Sequence, residues 1–175
     1  MMKTACPLLC MTGIAAWAGF LSWSDCRTRC LPNALTLGAA AVALAFRWAC
    51  GGWESLLDGF AAGAAAGGFM LVPFLLRGAG GGDVKMLFAS GAMVGWSRLL
   101  TLLWFTSLAG VVLSLVMLAL GQADGARLRH LVRCAVDWRY DRKAGAAGLP
   151  PKEATQVRVP FSVAISAGLL IAMAG

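Results

Sequence analysis

Six apolar stretches, five of them close in length to a membrane-spanning helix, restrict the fold of this chain more than any other feature. A helix needs about 20 predominantly apolar residues to cross a bilayer. Alanine, leucine and glycine dominate the stretches, and none shows the polar-apolar alternation of a membrane barrel strand. The sequence therefore predicts an all-α, polytopic membrane protein with six transmembrane helices in a single domain, residues 1–175. The stretches cover approximately residues 5–23, 34–53, 55–76, 84–97, 99–120 and 157–174.

The composition excludes an ordinary water-soluble domain. Hydrophobic residues make up 59% of the 175 residues, charged residues make up only 13%, and the mean hydropathy is +0.75. A soluble domain of this length needs far more polar surface. The formal net charge of +7 is explained by basic loops on one side of a membrane, and we expect no nucleic-acid partner.

The distribution of basic residues predicts the membrane orientation. If the chain starts outside the cytoplasm and every stretch crosses, 12 of the 15 basic residues lie on one face, as the positive-inside rule expects. The stretch 84–97 is the shortest, but if it turned back, the basic loop 121–158 would lie opposite Arg77 and Lys85. We therefore expect six crossings, with both termini outside and the loop inside. The other face holds Lys3, Arg47 and Arg98.

The amino terminus is open to a second interpretation. Lys3, an apolar run and Ala16-Trp17-Ala18 together have the form of a secretory signal with its cleavage site. A first membrane helix with a basic residue near its start has the same form. We favour the membrane helix, because cleavage there would detach it from the polar stretch that follows.

The long loop 121–158, between the fifth and sixth helices, predicts an amphipathic helix. Its apolar residues recur at helical spacing, with arginines around them. We expect this helix to lie on the anionic inner leaflet, so that membrane lipid is a partner of the protein. The apolar positions are Leu128, Leu131, Val132, Ala135 and Val136.

Two acids occupy notable positions on the predicted cytoplasmic face. Asp25 lies where the first helix leaves the membrane, before Pro32 and Asn33 start the second. Asp83 follows a glycine run and begins the fourth helix. Alone, each has an ordinary interpretation, Asp25 as a solvated loop acid and Asp83 as a helix cap. Because two crossings separate them, both acids lie on one membrane face and can form one site.

A pair of carboxylates can hydrolyse a peptide bond. One accepts a proton from a water molecule while the other protonates the leaving group. Gly80 and Gly82 let backbone approach a substrate strand without side-chain obstruction. Other glycine-rich sites fit poorly: a P-loop requires Gly-Lys followed by Ser or Thr, and a dinucleotide fingerprint requires glycine where Asp83 stands.

These residues carry a resemblance to a known family. Residues 80–86, Gly-Gly-Gly-Asp-Val-Lys-Met, resemble the G-x-G-D motif of the type IV prepilin peptidases, which are membrane aspartic proteases. Asp25 with residues 31–36, Leu-Pro-Asn-x-Leu-Thr, is similar to the region of that family's first catalytic aspartate. Residues 159–165 resemble its last-helix pattern, so the similarity covers nearly the whole chain.

The resemblance implies an endopeptidase of the bacterial inner membrane that removes the leader of prepilin or pseudopilin precursors at the cytoplasmic face. It implies Asp25 and Asp83 as catalytic residues, no cofactor and no metal. The chain is most similar to the compact, peptidase-only branch of Flp-type pili, because it lacks the methyltransferase portion and paired C-x-x-C motifs of larger members. Amino-terminal methylation is therefore not expected. Supporting motif or substrate-binding positions are Pro32, Asn33, Gly80, Gly82 and Lys85.

Some positions keep an ordinary alternative. Lys85 either extends to the lipid headgroups as an anchor or favours ionisation of the two acids through its positive charge. We favour the anchor. Cys26 and Cys30 lie beside Asp25, but a structural zinc site needs four ligands and would have to recruit His130 and Cys134 from a distant loop.

Two other functions remain as hypotheses. A broader G-x-G-D intramembrane protease, like the presenilin group, shares the glycine-aspartate motif, although its later Pro-Ala-Leu element is absent here. A non-catalytic membrane component of a pilus or secretion assembly would need neither carboxyl group. Conservative replacement of either acid distinguishes that component from an enzyme.

Overall fold

The computed structural model describes residues 2–28, 31–75, 79–120 and 161–174. Every regular element within these ranges is helical and none is a strand, which confirms the all-α prediction. The basic loop 121–158, with its predicted amphipathic helix, lies outside the described residues. The elements are α1 (Met2–Thr28), α2 (Asn33–Leu75), α3 (Gly81–Val94), a 3₁₀ turn (Trp96–Arg98), α4 (Leu99–Ala119) and α5 (Phe161–Ala174).

Helix α2 is broken near its middle. Gly52 has φ 66° and ψ −159°, a backbone conformation that favours glycine. Arg47 reaches across the break, and its Nε donates to the carbonyl oxygen of Ser55 at 2.9 Å. Its guanidinium also forms an ion pair with Asp58. Because residues 47 and 58 would be about 16 Å apart along a straight helix, α2 consists of two arms that fold toward each other.

The second arm of α2, residues 53–75, packs closely against α3. Glycines recur at every fourth position along the arm, at Gly59, Gly63 and Gly67. A Cβ at Gly63 would lie 2.9 Å from the backbone oxygen of Phe88 on α3. Small residues at this spacing allow helix backbones to touch, which is a common way for helices to associate in membranes.

The ion pair of Arg47 and Asp58 also fixes one end of the packing between α2 and α3. Arg47 Nη1 donates to the carbonyl oxygen of Met93 at 3.4 Å, near the carboxyl end of α3. Asp58 Oδ2 accepts the backbone N–H of Trp96 at 3.2 Å, at the start of the turn into α4. The break in α2 and the α3–α4 turn are therefore joined at one end of the bundle, and α3 begins at the other end.

A buried core joins α1, α3, α4 and α5. Leu21 of α1, Leu87 of α3, Leu102 of α4 and Ile165 of α5 are all fully buried in it. Helix α4 packs mainly against α5, and α5 also contacts α1 and α3. Helix α5 thus lies beside both helices that carry the predicted catalytic acids.

Two helical segments of the described residues are long and apolar enough to cross a membrane, Asn33–Leu75 and Trp96–Met117. Helix α5 is apolar but has only 14 residues. Large hydrophobic side chains cover the outside of the molecule, a surface that suits lipid better than water. The six predicted stretches fall on the five α-helices of the described residues, because two of them share α2, and the number of crossings stays a prediction. Among the most exposed of these large hydrophobic side chains are Trp48, Trp53, Val72, Leu100 and Trp104.

Candidate active site

Asp25 lies in the last turn of α1, at the edge of the core. It follows Leu21 by four residues, so the two side chains share one face of the helix. Leu21 is fully buried and Asp25 is half-buried. The hydroxyl of Ser162, at the start of α5, donates to Asp25 Oδ2 at 2.6 Å.

Asp83 lies in the first turn of α3 and is only 7% exposed. Its Oδ2 accepts the backbone N–H of Gly80 at 3.0 Å, and its own N–H donates to the Gly80 carbonyl oxygen at 3.1 Å. The ordinary interpretation of Asp83 as a helix cap is therefore correct as far as local structure goes. The positive end of the α3 dipole also favours the negative charge of this carboxylate.

Both acids belong to the same end of the bundle. Asp83 precedes Leu87 by four residues, as Asp25 follows Leu21 by four. Leu21 and Leu87 belong to one core cluster, with Ile165 three residues after Ser162. Helix α1 ends at this side of the core, whereas α3 and α5 begin there. Each carboxylate therefore lies one helical turn beyond this core, on the side where α1 ends and α3 begins.

The predicted supporting residues line the start of α3. Lys85 Nζ donates to Asn33 Oδ1 at 2.8 Å, which ties α3 to the first residue of α2. The Pro32 carbonyl accepts the backbone N–H of Leu35 at 3.1 Å and so begins α2. The Leu35 carbonyl in turn accepts Trp17 Nε1 at 3.1 Å, which joins α2 to α1. Lys85 thus has a protein partner at a position where we favoured a lipid anchor.

The glycines before Asp83 are closely surrounded. A Cβ at Gly82 would lie 2.9 Å from Leu31 Cβ, and a Cβ at Gly80 would lie 3.2 Å from Asp83 Oδ2. Both glycines therefore let neighbouring parts of this site approach. Gly82 in particular admits the segment before α2 next to the helix that carries Asp83.

The sequence interpretation missed two buried hydroxyl groups. Ser162 is fully buried against Asp25, and Thr36 is fully buried at the start of α2. The Thr36 hydroxyl bonds to carbonyl oxygens of the turn before it, at Pro32 and Asn33. Both residues stand within motifs that carried the family resemblance, and their position in otherwise apolar helices was the only available signal.

Metal ligands were an alternative for the cysteines near Asp25. Cys26 is an exposed free thiol, whereas Cys30, His130 and Cys134 lie outside the described residues. Among the residues that the structure does describe, no three His, Cys, Asp or Glu side chains are grouped to hold a metal ion.

Comparison with known proteins identifies the family. Residues 12–115, a span that contains both Asp25 and Asp83, match the type IV leader peptidase family. The chain is 32% identical over 139 residues to a prepilin leader peptidase/N-methyltransferase of Pectobacterium carotovorum subsp. carotovorum. That similarity covers 70% of this chain and 49% of the relative, so the chain spans about half the relative's length. No solved structure matches the chain. The chain belongs to the type IV leader peptidase family, the prepilin peptidases that its motifs resemble.

Proposed function

We propose that this chain is a membrane aspartic endopeptidase that removes the leader of type IV prepilins of the Flp-like class at the cytoplasmic membrane face. The observation that carries the proposal is that Leu21 and Leu87 share one buried core, with Asp25 and Asp83 each one helical turn from them. Both acids also lie within the span that matches the leader peptidase family. The relative's name gives two activities, leader peptidase and N-methyltransferase. A pair of carboxylates can perform the first of them.

The reaction needs only the two carboxyl groups and water. One ionised carboxylate accepts a proton from a water molecule as the water oxygen bonds to the scissile carbonyl carbon. The second carboxyl group, protonated at that moment, donates its proton to the amide nitrogen. The carbon–nitrogen bond then breaks and leaves a leader carboxyl terminus and a new pilin amino terminus. The pair ends with the proton transferred from one acid to the other, and exchange with water restores the starting state.

The substrate is a precursor with a basic leader in the cytoplasm and an apolar helix in the bilayer. In the proposed six-crossing topology the two acids lie at the cytoplasmic interface, where such a precursor leaves the membrane. Its scissile bond must be locally extended, since a helix holds its carbonyl groups in internal hydrogen bonds. Gly80 and Gly82 make room for Asp83 and Leu31 of the protein itself, and so help to set the position of the Asp83 carboxylate that meets the extended strand.

The direct test is co-expression of the chain with a Flp-type prepilin, followed by mass measurement of the pilin. We expect the pilin to lose its leader only in cells that contain the chain. The mass also shows whether the new amino terminus is methylated, the second activity in the name of the relative. An unprocessed precursor beside a stably inserted chain would contradict the proposed function and favour a non-catalytic membrane component.

Gly82→Ala is expected to reduce leader removal about tenfold or more, because small displacements of catalytic groups are costly. The new methyl group would lie 2.9 Å from Leu31 Cβ and 3.0 Å from Leu31 Cδ1. The start of α3 must then move away from the segment before α2, and Asp83 moves with it. The initial rate of prepilin cleavage in isolated membranes measures the effect.

The neighbouring variant Gly81→Ala is the matched control. Its methyl group would lie 3.5 Å from Phe74 Cε2, an ordinary van der Waals contact. We expect Gly81→Ala to cleave within about threefold of the wild-type rate, because its methyl group fits without displacing a neighbour. Its helix propensity changes in the same direction as in Gly82→Ala, so that contribution cancels in the comparison. Equal rates for the two variants would show that the contact with Leu31 is unimportant.

A further inference from the structure

The contact between Ser162 and Asp25 joins two residues that are 137 positions apart in the chain. Its oxygen–oxygen distance is 2.6 Å, a normal length for a hydrogen bond from a hydroxyl group. The serine is fully buried, so a precursor has no access to its hydroxyl. Any effect of Ser162 on catalysis must therefore pass through its contact with Asp25 or through the packing of α5.

A second pair of hydroxyl groups holds the helices together one turn away. Ser166 Oγ lies 2.7 Å from Ser22 Oγ, and it donates to the carbonyl oxygen of Ala18 at 3.1 Å. These bonds fix α5 against α1 without contacting a carboxylate. Ser162 stands on the same face of α5, and of these two serines only Ser162 bonds to an acid.

We propose that Ser162 is a positioning residue that holds the Asp25 carboxylate in its catalytic orientation, and this inference rests on the proposed function. The terminal torsion of an aspartate side chain is soft, and Asp25 lies in the last turn of a helix, half exposed. A donor on one oxygen restricts rotation of the carboxylate. Under the proposed function, the other oxygen then stays available to the catalytic water. Ser162 lies within residues 159–165, which resemble the family's last-helix pattern, and beyond residues 12–115, which match the family.

The test compares purified Ser162→Ala, Ser162→Thr and Ser166→Ala in one detergent, with a purified Flp-type prepilin as substrate. For Ser162→Ala we expect kcat to fall about 10- to 100-fold with KM within about twofold, because orientation is lost and binding is not. Ser162→Thr retains a hydroxyl donor and should restore kcat to within about fivefold. Ser166→Ala should lower the melting temperature and leave kcat within about threefold.

The outcomes separate positioning from structural support. An unchanged kcat in Ser162→Ala overturns the proposal, and so does an equal loss of kcat in Ser162→Ala and Ser166→Ala. A loss in Ser162→Thr as large as in Ser162→Ala overturns it as well. If Ser162→Ala does not fold, Ser162→Cys takes its place, since a thiol is of similar size to a hydroxyl but is a weak hydrogen-bond donor. A wild-type kcat in Ser162→Cys would then overturn the proposal.

Asp25→Asn, measured beside these variants, distinguishes a failure of this inference from a failure of the proposed function. If Asp25→Asn still cleaves the precursor, the proposed function itself is wrong. If Asp25→Asn is inactive while Ser162→Ala is fully active, Asp25 is catalytic and only the positioning role of Ser162 fails.

Discussion

Replacing either Asp25 or Asp83 with asparagine is expected to abolish leader removal, with a loss of more than about a thousandfold in the cleavage rate. An amide does not accept a proton from water at neutral pH, and it has no acidic proton to give to the leaving nitrogen. Each acid performs one half of the proposed reaction. Loss of one therefore costs nearly as much as loss of both.

The fold should survive both replacements. Asp83 Oδ2 accepts the backbone N–H of Gly80, and the side-chain oxygen of asparagine accepts the same bond. Asp25 Oδ2 accepts the hydroxyl of Ser162, and an amide oxygen preserves that contact too. Asparagine has nearly the same volume as aspartate. A loss of activity would therefore report on proton transfer rather than on packing.

The measurement is the mass of the amino terminus of a co-expressed prepilin, with the amount of each variant in the membrane determined in the same cells. Glu54→Gln is the control, because Glu54 is an exposed acid beside the break in α2. We expect this variant to process the precursor at the wild-type rate. Full processing by Asp25→Asn or Asp83→Asn would make the replaced acid a structural residue.

Much of the helical arrangement can be predicted from the lengths of the apolar stretches. The sequence places a turn between the second and third stretches, and the structure breaks α2 there. The break is at Gly52, whereas the predicted stretches 34–53 and 55–76 place it at Glu54, the charged residue between them. Hydropathy detects where the chain becomes polar, but the backbone turns where a residue accepts a positive φ. This difference explains the offset of two residues.

The relation between the two acids is predictable for a different reason. Topology alone assigns Asp25 and Asp83 to one face, because two predicted crossings lie between them. The contact with Ser162 has no such signature. Serine in a helix often bonds to the carbonyl four residues earlier, as Ser22 does to Ala18 and Ser90 does to Met86. A sequence does not reveal which serine instead reaches an acid on another helix.

Gly91→Leu is expected to prevent α3 from packing on α2 and to destabilise the protein by about 3 kcal/mol or more. A Cβ at Gly91 would lie 2.7 Å from the backbone oxygen of Ala62 and 3.0 Å from Gly63 Cα. Backbone atoms within a helix cannot rotate aside as a flexible side chain does. The helices must therefore separate, and α3 would carry Asp83 away from its place beside the core.

Gly68→Leu is the matched control for this packing, since a Cβ at Gly68 meets no atom within 4 Å. Both replacements exchange a helical glycine for leucine and gain the same intrinsic helix propensity, so that contribution cancels in the comparison. We expect Gly68→Leu to retain wild-type thermal stability in detergent and wild-type prepilin cleavage, and Gly91→Leu to lose both. Equal stability of the two variants would mean that α2 and α3 do not meet backbone to backbone. Loss of cleavage in Gly91→Leu with unchanged stability would instead place Gly91 in the path of the substrate.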